Sequence, residues 1–181
     1  MNGLLAECTA LLQREALLLD TQRWDDWLEL FTEDCEYWVP AWKGEHQTTE
    51  NPRTELSLIY YRNRAGLADR AWRVRHGRSV ASAVMPRTHH VISNVSIAEP
   101  GDAAMPATGN PPIAGPVAKD AILVDSYWTT HQFLVKDNAV EVLFGRTRHE
   151  LARRPEGLRI ARKTIILLND YLPARLDFYS L

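Results

Sequence analysis

The chain has 181 residues, 45% apolar and 24% charged, with a net charge of −2 and a pI near 6.3. That is ordinary composition for one globular domain, and it excludes the basic footprint of a nucleic-acid binder or a polybasic membrane patch. No basic segment leads into an apolar run at the N-terminus, and no apolar stretch approaches the ~18 residues of a membrane span, so a cytoplasmic protein with no membrane contact is expected.

Residues 4–19 place Leu4, Leu5, Cys8, Leu11, Leu12, Ala16 and Leu19 at helical spacing, with Glu7, Gln13, Arg14 and Glu15 assigned to the solvent side. Asp20 or Thr21 can cap a second helix over about 22–31, which sets Trp24, Trp27, Leu28 and Phe31 on one face. The stretch CEYWVPAW reads as a strand from its aromatic and β-branched content, and ELSLIYY as another, with a polar loop between them. NRAGLADRAWRVR returns to helical spacing through Leu67, Ala71 and Val74. From THHVISNVSI onward the chain is strand-rich. Residues 99–120, crowded with proline and glycine, form a loop insertion. Two long strands then flank the turn KDN, RPEG turns into LRIARKTIILL, and the tail LDFYSL is apolar enough to dock.

Helices first and an antiparallel meander after them give an α+β fold: one domain spanning 1–181, its N-terminal helices packed on a long curved sheet. Strands of this length, curved around helices, make a cone whose outer sheet face is free to meet another subunit.

The chemistry is thin. Cys8 and Cys35 stand in no ligand-like spacing and read as reduced thiols. His89 and His90 are adjacent on a strand, so their side chains leave on opposite faces. The spacing of His76, His131 and His149 matches no helical metal pair, and neither a phosphate loop nor a Gly-x-Ser-x-Gly elbow is present. No cofactor or metal is therefore expected in this chain. Asp34, Tyr37, His89 and His131 could face into the cone, where burial would bring a carboxyl toward neutral pKa for acid–base work. That supports an alternative reading, a free-standing dehydratase, isomerase or cyclase using Asp34 with His89 or His131. A third reading is a ligand-binding or scaffolding cone. Against the catalytic reading, Trp24, Trp27 and Trp38 look like core, and Asp34 like the end of a helix. The arginine-rich run 62–78 is either a solvated helix face or a docking surface for an acidic partner.

Several blocks together resemble the small (β) subunit of aromatic-ring-hydroxylating dioxygenases, the Rieske non-haem iron oxygenases. They are EALLLDTQRWDDWLELFTEDCEYWVP, ELSLIYYRNRAGLADRAWRVRHGRS, RTHHVISNV, and ELARRPEGLRIARKTIILLND with the ending LDFYSL. YWVPAW and SLIYYRNRAGLADR are most similar to the branch acting on benzoate-type aryl carboxylates. The resemblance implies a nuclear-transport-factor-2-like (cystatin-like) cone and an α3β3 hetero-hexamer with β–β contacts. It implies an α subunit carrying the Rieske [2Fe–2S] cluster and a mononuclear Fe(II), with NADH-derived electrons delivered through a reductase, sometimes via a ferredoxin, to make arene cis-diols. This chain would then be the non-catalytic, structural subunit. Arg62, Arg64, Arg70, Trp72 and Arg73, with Phe178 and Tyr179 of the tail, are the expected subunit contacts.

Overall fold

A computed structural model describes residues 2–78, 84–98, 120–169 and 176–181. Helix α1 spans Asn2–Asp20, α2 Trp24–Leu28 and α3 Arg64–Arg75. The strands are β1 Phe31–Pro40, β2 Trp42–Gly44, β3 Gln47–Thr48, β4 Ser57–Tyr61, β5 Arg87–Ala98, β6 Ile122–Leu134, β7 Ala139–Arg154 and β8 Gly157–Leu167. Residues 99–119 of the anticipated loop insertion lie outside the described residues.

Six strands form one sheet in the order β4-β1-β8-β7-β6-β5, with β2 and β3 paired separately. The sheet is mixed rather than antiparallel throughout, because β1 runs parallel to β8. The physical reason is chain length: parallel neighbours need a long crossover, and the first and last long strands are separated by most of the chain. The remaining pairs are antiparallel, and β6–β7 and β7–β8 are hairpins of the kind the turn residues specify. Asn138 and Gly157 turn the β6–β7 and β7–β8 corners at positive φ, +48° and +114°.

Helix α2 is shorter than the periodicity predicts. Trp24 and Trp27 keep their buried i, i+3 positions, but the chain leaves the helix at Leu28 and Phe31 opens β1. Sheet pairing captures the segment: the Ile160 amide donates to the Leu30 carbonyl at 2.8 Å. Nor does Asp20 cap α2, whose N-cap position is Arg23 without a side-chain bond; Asp20 is used elsewhere, as described below.

The core is aromatic. Trp27 is fully buried, stacks on Phe178 at 4.9 Å and meets Phe31 edge-on at 5.0 Å. Trp24 meets the same Phe178 edge-on at 5.2 Å. Each such pair contributes about 0.5–1.5 kcal/mol beyond its buried area. The C-terminal tail is thereby docked: Asp177 caps the short turn Phe178–Ser180, and Arg70 of α3 forks onto the Asp177 carboxylate. Gly145 of β7 sits opposite Trp128 of β6, and a Cβ there would overlap the Ile166 carbonyl oxygen and come within 3.0 Å of the indole.

Candidate functional site

The helix-facing side of the sheet carries one cluster of buried charges. Glu15 of α1, expected at the surface, is buried. It lies on the stripe Cys8, Leu12, Glu15, Leu19, one position per turn, so it points at the sheet with its apolar neighbours. There Lys163 Nζ of β8 donates to its Oε1 at 2.8 Å and His149 Nε2 of β7 meets its Oε2 at 3.1 Å. Trp27 Nε1 donates to Oε1 at 3.4 Å. His149 and Lys163 are register partners across β7 and β8, so both side chains leave the same face.

Burial by itself would raise the Glu15 pKa. The Lys163 ammonium and the His149 hydrogen bond outweigh it and hold the carboxyl at about 2. Burial pushes the His149 imidazole below its usual 6.5, against the pull of Glu15, which keeps it neutral. Burial drives the Tyr37 hydroxyl well above its ordinary range. A second, partly buried pair lies at the end of α1. Asp20 accepts from the His90 backbone amide at 3.0 Å and pairs with His90 Nδ1 at 2.6 Å.

Only one of the four residues nominated for acid–base work faces this interior. Tyr37 is buried, whereas Asp34, His89 and His131 are exposed. The period of two explains it: His90, not His89, takes the inward position, and Asp34 precedes the inward Cys35. His89 and His131 do meet, as register partners stacked at 6.1 Å, but on the outer face. Glu15 and Lys163 were missed because each is a charged residue inside an apolar pattern, and His149 because it lies in the polar run RTRHE. The available signals were the stripe position of Glu15 and the lysine in RIARKTIILL.

The cavity beside these groups is small, about 10 Å³, close to the room one water needs. Nor does the donor set fit iron. Among the described residues no three His, Cys, Asp or Glu side chains converge on a point. Cys8 and Cys35 are buried separately, and burial pushes the Cys35 thiol up to about 12, the opposite of what a thiolate ligand requires.

The outer face is different in character. Val91 of β5 and Val142 and Phe144 of β7 are exposed around His89, His131 and Thr129, and Val140 is 65% exposed at the end of β7. The arginine face of α3 is mostly neutralised within the chain: Arg64 pairs with Glu29 and Glu33, Arg73 with Asp69, and Arg75 with Asp25. Trp72 stays exposed, stacked on His76 at 4.5 Å and covered by Arg78 at 5.1 Å. Of the expected subunit contacts, Phe178 and Tyr179 lie in the core, and Arg70 is half-buried and bound to Asp177 of the tail they belong to.

Residues 14–174 match the family model described as the ring hydroxylating beta subunit. Over 170 residues, 94% of this chain and 89% of the relative, the sequence is 36% identical to the benzoate 1,2-dioxygenase subunit beta of Acinetobacter baylyi. The benzoate 1,2-dioxygenase β subunit of Burkholderia mallei superposes with a TM-score of 0.70 at 31% identity, covering 97% of this chain and 96% of that one. An NTF2-like protein with a cystatin-like fold from Novosphingobium aromaticivorans, 18% identical, covers 96% of this chain and 88% of that one at a TM-score of 0.57, which places the fold alone.

Proposed function

This chain belongs to the ring-hydroxylating β-subunit family, and on that premise we propose that it is the structural subunit of a cytoplasmic dioxygenase acting on a benzoate-like aromatic acid. The likeness to benzoate dioxygenase β subunits over nearly the whole chain carries this reading. The partner is an α subunit that holds a Rieske [2Fe–2S] cluster and a mononuclear Fe(II), receives NADH-derived electrons through a reductase, and supplies the dihydroxylation of the ring. No step of that chemistry is routed through the residues described above. What this chain contributes is a surface: Glu15, Lys163 and His149 tie the inner side of the sheet to the first helix, while Val91, Val140, Val142 and Phe144 are exposed on the outer side.

An α3β3 assembly with β–β contacts gives that face its use. Val91, Val140, Val142 and Phe144 form one docking surface, and Arg62, Arg64, Trp72 and Arg73 a second, more polar one. Assemblies of this kind bury more than about 2,000 Å² and favour apolar, aromatic centres. A free-standing acid–base enzyme is disfavoured by the exposure of Asp34, His89 and His131. The deciding experiment is co-expression with an iron-bearing α subunit. One stable complex is expected, with iron and turnover absent from the lone chain, and with Phe144→Asp losing the partner while the fold survives. A chain that ignores such a partner, or turns over a substrate alone, overturns the proposal.

A further inference from the structure

We propose that Trp72 and Arg78, at the C-terminal end of α3, are the anchor by which this chain holds its α subunit. The segment they take is acidic: a carboxylate on the guanidinium, beside an apolar group on the indole. The inference rests on the reading of the chain as a dioxygenase β subunit, and it narrows the second docking surface to two side chains. Trp24, Trp27, Trp38 and Trp128 are at most 4% exposed, whereas Trp72 is 44% exposed. Exposure alone says little, since single apolar residues are common on surfaces. The construction around the ring marks the site.

The backbone builds it. Helix α3 ends at Arg75, and Gly77 turns the chain at φ +62°. The Gly77 amide donates to the Val74 carbonyl at 3.2 Å and the Arg78 amide to the Arg73 carbonyl at 3.0 Å, the paired bonds of a Schellman turn. That turn returns Arg78 to the indole, its guanidinium carbon 5.1 Å from the ring centroid. His76, one turn beyond Trp72, stacks on the same ring at 4.5 Å. The imidazole is itself fixed, because its Nδ1 donates to the Trp72 carbonyl at 2.8 Å. Trp72 is thus oriented before any partner arrives, and little rotamer freedom remains to be lost on binding.

The sign of the partner's charge follows from which arginines are already engaged. Arg64, Arg70, Arg73 and Arg75 each pair with a carboxylate of this chain. Arg78 has no carboxylate among the described residues and lays its guanidinium on the indole. A guanidinium stacked on a ring keeps its in-plane N–H groups, and their fork matches a carboxylate. Tryptophan and arginine are also the side chains most enriched among those that dominate interface affinity. Arg64 and Arg73, neutralised within the chain, have less charge to offer a partner.

Surface plasmon resonance of the full chain on the immobilised α subunit of the same enzyme, at rising NaCl, tests this. Trp72→Ala and Arg78→Glu should each weaken binding about 30-fold or more, the loss expected of an interface anchor. Arg78→Met, which keeps an apolar stem on the ring and removes the charge, should flatten the salt dependence that the wild type shows. Circular dichroism checks that each variant is folded, and the exposed position of Arg78 keeps the test valid if Trp72→Ala is not. Variants that bind as the wild type does, a wild type whose binding ignores salt, or a loss of self-association in place of α binding each overturns the anchor and leaves the β-subunit reading standing. A wild type that ignores the α subunit overturns both.

Discussion

Lys163→Met tests the buried charge cluster most sharply. The substitution keeps the length of the side chain and removes the ammonium 2.8 Å from Glu15, a carboxylate that is itself buried. In the wild type that carboxyl is held at about 2 instead of 4.5. At about 1.4 kcal/mol per pH unit, its ionised form is then worth about 3 kcal/mol of stability at neutral pH. The figure agrees with the ~3–5 kcal/mol lost when one partner of a buried ion pair is removed. For a chain of this size a loss of about 3 kcal/mol lowers Tm by roughly 6–12 °C. The pH dependence carries the reasoning further. A carboxyl with a depressed folded pKa contributes stability that is present above its unfolded value and lost as pH falls, so the wild type should weaken from pH 4.5 toward about 2. The neutral, buried His149 adds to that loss below its usual 6.5, because only the unfolded chain takes up its proton there. In Lys163→Met the slope should reverse. A proton taken up by Glu15, or by His149 beside it, relieves an uncompensated buried anion, so stability should rise as pH falls from about 7 to 5. Urea unfolding of the purified chain across that range measures both effects. A cost below about 1 kcal/mol, or a variant that weakens in acid as the wild type does, would refute the account.

Gly145→Ala should cost about 3 kcal/mol, because its Cβ overlaps the Ile166 carbonyl and crowds Trp128, and neither backbone nor indole has room to yield. The urea midpoint measures it, and an unchanged midpoint would mean that the β7–β8 pair is looser than described. Arg70→Met should cost about 2–3 kcal/mol by leaving the buried Asp177 without its guanidinium. The tail should then become sensitive to carboxypeptidase while the sheet stays folded. Asp34→Asn and His89→Ala, both at exposed positions, should leave the kcat/KM of the assembled oxygenase within about twofold and stability within about 0.5 kcal/mol. A tenfold loss of activity in either would restore them as catalytic candidates.

The secondary structure of this protein is legible in its sequence wherever the signal is local. The extents of α1 and α3 and of the three long C-terminal strands follow from periodicity and from turn residues such as Asn138 and Gly157, because a helix face or a hairpin corner is specified within a few residues. The opposite faces of His89 and His90 follow from the same rule. The resemblance, spread over many short blocks, also carried the fold family and the role of the chain, both of which the comparisons bear out.

What needed the tertiary structure is everything that depends on residues far apart in the chain. The parallel β1–β8 pair joins the first and last long strands of the chain inside the sheet, and no local pattern encodes which strands become neighbours. The tail with Phe178 and Tyr179 reads as docked from its composition, but only the structure shows Trp24, Trp27 and Arg70 as what it docks against. Glu15 lies more than a hundred residues from both His149 and Lys163. A buried charge is tolerated only where its counter-charge is also buried, and that pairing exists in space before it can be read in order.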